Sequence, residues 1–189
     1  MSQCSLIKNG LVYYPEKGST YCCVTEPKGE HRELFTFDKW DEKREYELEK
    51  YQQSKTAWLP ECDTCRYHEK VMGHSVRTLE NENWSLVSDD DENIKTAIIK
   101  TSNLCNLACR MCGPNVSTKW QQVVAANSPN GFYEEESTVL EQTTVDDMTY
   151  IKKYVLTEHL EHISFSGGEP MLSKWNVEIL QYLIDNNLC

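Results

Sequence analysis

Long apolar runs are the first thing this sequence lacks. No stretch of its 189 residues approaches the ~20 apolar residues that cross a bilayer. The start, Met1-Ser2-Gln3-Cys4-Ser5-Leu6, carries no charged-then-apolar leader pattern. No membrane partner is therefore expected, and the cytoplasm is the expected compartment. Basic residues are scarce as well: 19 Lys and Arg stand against 30 Asp and Glu, a formal net charge of −11. Phosphate backbones are held by clustered Lys and Arg, so nucleic acid is excluded as the main partner, whereas a basic peptide suits the charge. Disorder is excluded too, because 39% hydrophobic and 26% charged residues are proportions that build a core. Cysteine, by contrast, is plentiful. Nine thiols are an odd number for complete disulfide pairing, and in a reducing compartment metal explains them better.

Three of them lie in Cys105-Asn106-Leu107-Ala108-Cys109-Arg110-Met111-Cys112, spaced C-x3-C-x2-C after an alternating segment, Ile94–Lys100, that predicts a strand. Thiolates hold iron–sulfur clusters, and a four-iron cubane normally takes four. With three local ligands one iron stays open, as in catalytic metal sites, where a small chelating molecule can bind. The spacing differs from the ferredoxin run and from zinc knuckles, which pair two CxxC halves. A second stretch, Ile163-Ser164-Phe165-Ser166-Gly167-Gly168-Glu169-Pro170, reads as a short strand entering paired glycines, an acid and a proline. Glycine lets backbone approach a ligand without a Cβ in the way, and proline ends the strand. Alone, such a turn is only a turn.

The two stretches together resemble the radical S-adenosylmethionine superfamily. The run from Ser102-Asn103-Leu104-Cys105 through Cys112-Gly113-Pro114 is similar to that of its twitch-domain members. The resemblance implies an α/β fold: the first two βα units of a partial (β/α)6 barrel, preceded by a small α+β cysteine-rich hairpin and helix module. It implies a catalytic 4Fe-4S cluster on Cys105, Cys109 and Cys112 that cleaves S-adenosylmethionine to a 5′-deoxyadenosyl radical for hydrogen abstraction. Gly167, Gly168 and Glu169 would then face the methionine moiety. Met111 would pack on the adenine where relatives often carry an aromatic residue, a contact that a polarizable thioether can make. Cys4, Cys23, Cys62 and Cys65 resemble a twitch region, the reduced form of SPASM, which implies an auxiliary 4Fe-4S cluster, although here the region precedes the main motif instead of following it. The same resemblance implies a peptide or protein substrate and a flavodoxin- or ferredoxin-like electron donor. With two βα units, the chain resembles the N-terminal part of a longer protein, too short to be active alone.

Read without the resemblance, the N-terminal thiols leave alternatives open. Neighbouring strand residues point to opposite faces, so one cluster takes only one of Cys22 and Cys23; the resemblance favours Cys23. Ligand count fits zinc as well as iron–sulfur at these positions. A CxxC can be redox active, but no βαβ pattern surrounds Cys62 and Cys65, and ligation is the reading adopted. Two further classes follow: a non-catalytic iron–sulfur electron carrier and a zinc-stabilised binding module.

The acidic run Ser88–Asn93 reads as a linker between a module at 1–88 and a core at 94–189. Within the first, Leu11–Val24 predicts a hairpin turning at Pro15–Gly18, and 38–54 predicts a helix with Asp38 as N-cap. Within the second, Ser117 is the expected cap of a helix carrying Trp120, Val123 and Val124. Thr144 and Asp147 form an expected capping box. Ser173 is the expected cap of a helix with Trp175, Ile179, Leu180, Leu183 and Ile184 inward.

Overall fold

The computed structural model describes residues 4–15, 18–24, 42, 45, 46, 49, 58–59, 62–83, 93–127 and 140–188. A short helix α1 (Ser5–Asn9) runs into β1 (Gly10–Tyr14), and the chain returns as β2 (Gly18–Thr20). Helices α2 (Asp63–Met72) and α3 (Val76–Asn83) follow, then β3 (Thr96–Lys100), α4 (Thr118–Asn127), α5 (Val145–Tyr154), β4 (His162–Ser166) and α6 (Lys174–Asp185). The helix expected over 38–54 lies outside the described residues, except that Glu42, Glu45, Tyr46 and Glu49 are helical and exposed.

The expected beginning of a (β/α)6 barrel is overturned. The strands form one four-stranded sheet of order β2-β1-β3-β4, mixed in direction and not curled toward closure. Six short α-helices accompany it among the described residues. The physical reason is strand pairing: β3 takes β1 of the hairpin as its neighbour on the side away from β4, so the N-terminal hairpin is part of the same sheet and not a separate module preceding a barrel.

By contacts the chain divides into two units. The first comprises Met1–Val12, Lys17–Ala97 and His159–His162. Its core includes Leu6, Ile7, Leu11, Val12, Tyr21, Leu59, Ile94 and Ala97, all buried. Ser5 N–H donates to Asn81 Oδ1 at 2.9 Å, tying α1 to α3, and Lys95 N–H donates to the Asn9 carbonyl at 2.9 Å. Helix α2 stops at Gly73, whose φ of 78° is left-handed backbone that glycine adopts without a Cβ penalty.

The second unit comprises Tyr13–Glu16, Ile98–Glu158 and Ile163–Cys189. Its core holds Ile99, Met148, Ile151, Val155, Leu156, Ile179 and Leu183. The capping box at α5 forms as the sequence predicts: Asp147 N–H donates to Thr144 Oγ1 and Thr144 N–H to Asp147 Oδ2, each at 3.1 Å. Ser117 caps α4 through the Trp120 N–H, at 3.2 Å. Ser173 precedes α6 but makes no side-chain cap. Its hydroxyl lies 2.7 Å from Thr101 Oγ1, which is also 2.8 Å from Asn176 Oδ1. These three polar residues are buried and satisfy one another, which removes the cost of burying each alone.

Candidate thiol sites

In the second unit, residues 101–104 are held from two sides, and this fixes the cysteine loop that follows. On one side Ser102 bridges Gln142 in antiparallel fashion, Thr143 N–H donates to the Thr101 carbonyl at 2.9 Å, and Asn103 N–H donates to the Glu141 carbonyl at 3.3 Å. On the other side stands the glycine pair. Gly168 N–H donates to the Ser102 carbonyl at 3.0 Å and Glu169 N–H to the Leu104 carbonyl at 2.8 Å. A Cβ on Gly167 would strike the Ser102 carbonyl oxygen, and one on Gly168 that of Leu104. Gly167 also has φ of 110°, a conformation that disfavours any side chain. The Glu169 carboxylate accepts from Met171 N–H at 3.3 Å and so caps the short 3-10 turn Pro170–Leu172.

The structure thus brings the two sequence motifs together, as a backbone-to-backbone seam. Beyond it, Cys105 N–H donates to Thr118 Oγ1 and that hydroxyl donates to the Cys105 carbonyl, both at 3.0 Å. Ser117 Oγ donates to the Leu107 carbonyl at 2.8 Å, and Trp120 Nε1 donates to the Cys109 carbonyl at 2.8 Å. The loop is therefore moored by its backbone to the first turn of α4. Cys105 is half-buried, Cys109 and Cys112 are exposed, and Met111 is 98% exposed with no ring packed against it.

The first unit treats its thiols differently. Cys4, Cys22, Cys62 and Cys65 line one pocket with Trp58 and Arg77. Cys4, Cys22 and Cys65 are buried, Cys62 is half-buried at the start of α2, and Cys23 is exposed. Burial pushes the Cys4 thiol up to about 11. The adjacent pair splits: the Cys22 thiol, hydrogen-bonded to Cys23 and buried, is held protonated, whereas that same hydrogen bond brings Cys23 down to about 7. A thiolate is the nucleophilic form of cysteine, so the exposed member of the pair is the one prepared to react. The cavity, about 20 Å³, has room for little more than a water molecule.

The pocket is braced by side chains. Arg77 Nε donates to Glu69 Oε1 at 2.9 Å, its Nη2 donates to Oε2, and its guanidinium lies 4.5 Å from the Trp58 ring centroid. Ser75 Oγ adds a third bond to Glu69, at 2.7 Å. The helix bearing Cys65 is thereby clamped to α3.

These placements overturn the expected cofactors. Among the described residues, no group of three or more His, Cys, Asp or Glu side chains is positioned to hold a metal ion. The catalytic 4Fe-4S cluster expected on Cys105, Cys109 and Cys112 therefore has no ligand set, because the backbone mooring leaves two of those thiols facing solvent and one turned onto its own loop. The auxiliary 4Fe-4S cluster expected from Cys4, Cys23, Cys62 and Cys65 falls on the same finding, with Cys22 and not Cys23 among the pocket residues. S-adenosylmethionine loses its anchoring iron, and Gly168 and Glu169 spend their N–H groups on the seam. Radical S-adenosylmethionine catalysis and membership of that superfamily are overturned with the clusters and the sheet topology, as are the iron–sulfur carrier and zinc-module alternatives. No family model, curated protein or solved structure matches the chain. No helix among the described residues is long and apolar enough to cross a membrane.

Arg77, Glu69 and Trp58 were not legible as site residues. Arg77 and Glu69 sit on different helices, and only the turn through Gly73 and Ser75 brings them together.

Proposed function

We propose that this protein is a thiol–disulfide redox protein whose reactive centre is the Cys22–Cys23 pair. The observation that carries the reading is the convergence of Cys4, Cys22, Cys62 and Cys65 on one small pocket, with an exposed thiol, Cys23, next in the chain. Cys23 thiolate attacks one sulfur of a partner disulfide and expels the other as a thiolate. Cys22 gives up its proton to the expelled group and attacks the Cys23 sulfur, which releases the second partner thiol. Two electrons and the Cys22 proton pass to the partner, whose second thiolate takes its proton from solvent, and a Cys22–Cys23 disulfide remains. Adjacent Cα atoms are about 3.8 Å apart, short of the roughly 4.4–6.8 Å that disulfides prefer. Such a bond is strained and of high potential, so the exchange runs readily in reverse, with the Cys22–Cys23 disulfide taking two electrons from a partner dithiol.

A net charge of −11 favours a basic peptide or protein as the partner over nucleic acid. Nine cysteines, an odd count for complete disulfide pairing, suit a reducing compartment, the cytoplasm. The test is the pH dependence of Cys23 alkylation by iodoacetamide, read by peptide mass spectrometry. The midpoint should fall at about 7 in the native protein and rise toward about 8.5 in Cys22→Ala. A native midpoint already near 8.5, or one that Cys22→Ala leaves in place, would sink the reading.

A further inference from the structure

We propose that Cys109 and Cys112 form a second, solvent-facing dithiol, distinct from the Cys22–Cys23 centre, which closes to a disulfide by exchange with a low-molecular-weight disulfide. Four observations single out this pair. Cys112 N–H donates to the Cys109 carbonyl at 3.0 Å, the bond that closes a four-residue turn with Arg110 and Met111 at its corners. In such a turn the outer Cα atoms lie less than about 7 Å apart, and disulfides span about 4.4–6.8 Å. The backbone already has the separation that the bond needs.

Both thiols are exposed, so an oxidant reaches them without unfolding. The third thiol of the loop is engaged elsewhere. Leu107 N–H donates to Cys105 Sγ at 3.4 Å, and Cys105 Sγ lies 3.5 Å from the Leu107 carbonyl. The turn is held in place too, since the Cys109 carbonyl that accepts from Cys112 also accepts from Trp120 Nε1 at 2.8 Å. Holding two groups at bonding separation raises the effective concentration of one toward the other, so the intramolecular disulfide outcompetes a mixed disulfide with the oxidant.

The step balances with a disulfide such as glutathione disulfide as oxidant. One thiolate of the pair attacks it, forms a mixed disulfide and expels one glutathione thiolate. The second thiol loses its proton, attacks the protein sulfur of the mixed disulfide and expels the other glutathione. The pair loses two electrons, and two glutathione thiols appear.

The sequence supplies its own readout. Trypsin cuts after Lys100, Arg110 and Lys119, which puts Cys105 and Cys109 on one peptide and Cys112 on the next. The native protein is equilibrated with excess glutathione disulfide, its remaining thiols are alkylated, and the digest is analysed without reduction. The 101–110 and 111–119 peptides should remain joined in the native protein and in Cys105→Ser, should separate on adding dithiothreitol, and should not be joined in Cys109→Ser. Loss of the joined pair in the native protein, with glutathione attached singly to either cysteine, overturns the proposal. So does a pair that survives Cys109→Ser, since Cys105 would then be the partner. None of these outcomes depends on Cys22 or Cys23, so this dithiol and the N-terminal centre stand or fall separately.

Discussion

The two thiol groups of this chain are held in opposite ways. Around Cys4, Cys22, Cys62 and Cys65, side chains do the holding: an ion pair, a cation over an indole ring and apolar burial enclose the sulfurs and set them apart in acidity. Around Cys105, Cys109 and Cys112 the backbone does it, through carbonyls and amides of the glycine seam and the first turn of α4, and the sulfurs of Cys109 and Cys112 are left exposed. Enclosure changes what a thiol is, whereas mooring changes only where it is. The first region should therefore be sensitive to the loss of a charged or aromatic side chain, and the second to the addition of a single methyl group.

The largest effect is expected at the clamp. Arg77→Ala removes both guanidinium bonds to Glu69 and the stacking on Trp58, and leaves a half-buried carboxylate without its cation. Losing charge-assisted bonds to a half-buried carboxylate costs about 2–3 kcal/mol, to be read as a lowered urea midpoint at constant slope. Cys4 and Cys65 should alkylate faster, while Cys109 and Cys112 keep their rates. The pH dependence has a defined sign. Arg77, and then Ser75, hold the Glu69 carboxyl below its ordinary value. A carboxyl depressed on folding stabilises fully above its unfolded value, about 4.3, and that stability is lost as pH falls through the lower folded value. Arg77→Ala should flatten this acid limb; an unchanged limb would mean that the clamp does not act through charge.

The second effect belongs to the moored region. A Cβ on Gly168 would meet the Leu104 carbonyl carbon at 2.6 Å and the Asn103 carbonyl carbon at 2.7 Å, both backbone atoms that cannot rotate away. Overpacking of this kind costs about 2 kcal/mol. Gly168→Ala should lower stability by that amount and speed alkylation of Cys105, while Cys4 and Cys65 stay slow. Equal changes in both thiol groups would erase the distinction between enclosure and mooring.

What the sequence disclosed follows the same division. Features set by neighbours along the chain were legible: the strand read over Ile94–Lys100 appears as Thr96–Lys100, and the Thr144–Asp147 capping box forms. The strand alternation expected at Cys22 and Cys23 does not act there, because β2 ends at Thr20; Cys22 is buried and Cys23 exposed, whereas the resemblance favours Cys23 for the enclosed role. Features set by partners across the fold were not legible. The pairing of β1 with β3 is chosen by tertiary packing and has no local signal. The stripe on α6 was read too widely: Ile179 and Leu183 are buried, but Leu180 and Ile184 are 38% and 59% exposed, because its buried face also takes Asn176. Gly167 and Gly168, expected to let backbone approach a ligand, instead admit the chain's own backbone at Ser102 and Leu104.

The smallest effect tests whether the moored region can be weakened without disturbing its thiols. Thr144 Oγ1 accepts from Asp147 N–H at 3.1 Å, and the Asp147 carboxylate accepts in return from the Thr144 N–H. Thr144→Ala leaves that first-turn N–H without its side-chain acceptor, a loss of about 1 kcal/mol. The neighbouring Thr143 holds the Thr101 carbonyl with both its N–H and its hydroxyl, at 2.9 and 3.1 Å, and it remains in place. Residues 101–104 therefore keep their anchor, and alkylation of Cys105, Cys109 and Cys112 should be unchanged while the thermal midpoint falls by a few degrees. If the loop thiols instead become faster together with the loss of stability, the cysteine loop is coupled to the α5 cap through Thr143. Its mooring would then be a property of the whole second unit and not of the seam at Gly167–Glu169 alone.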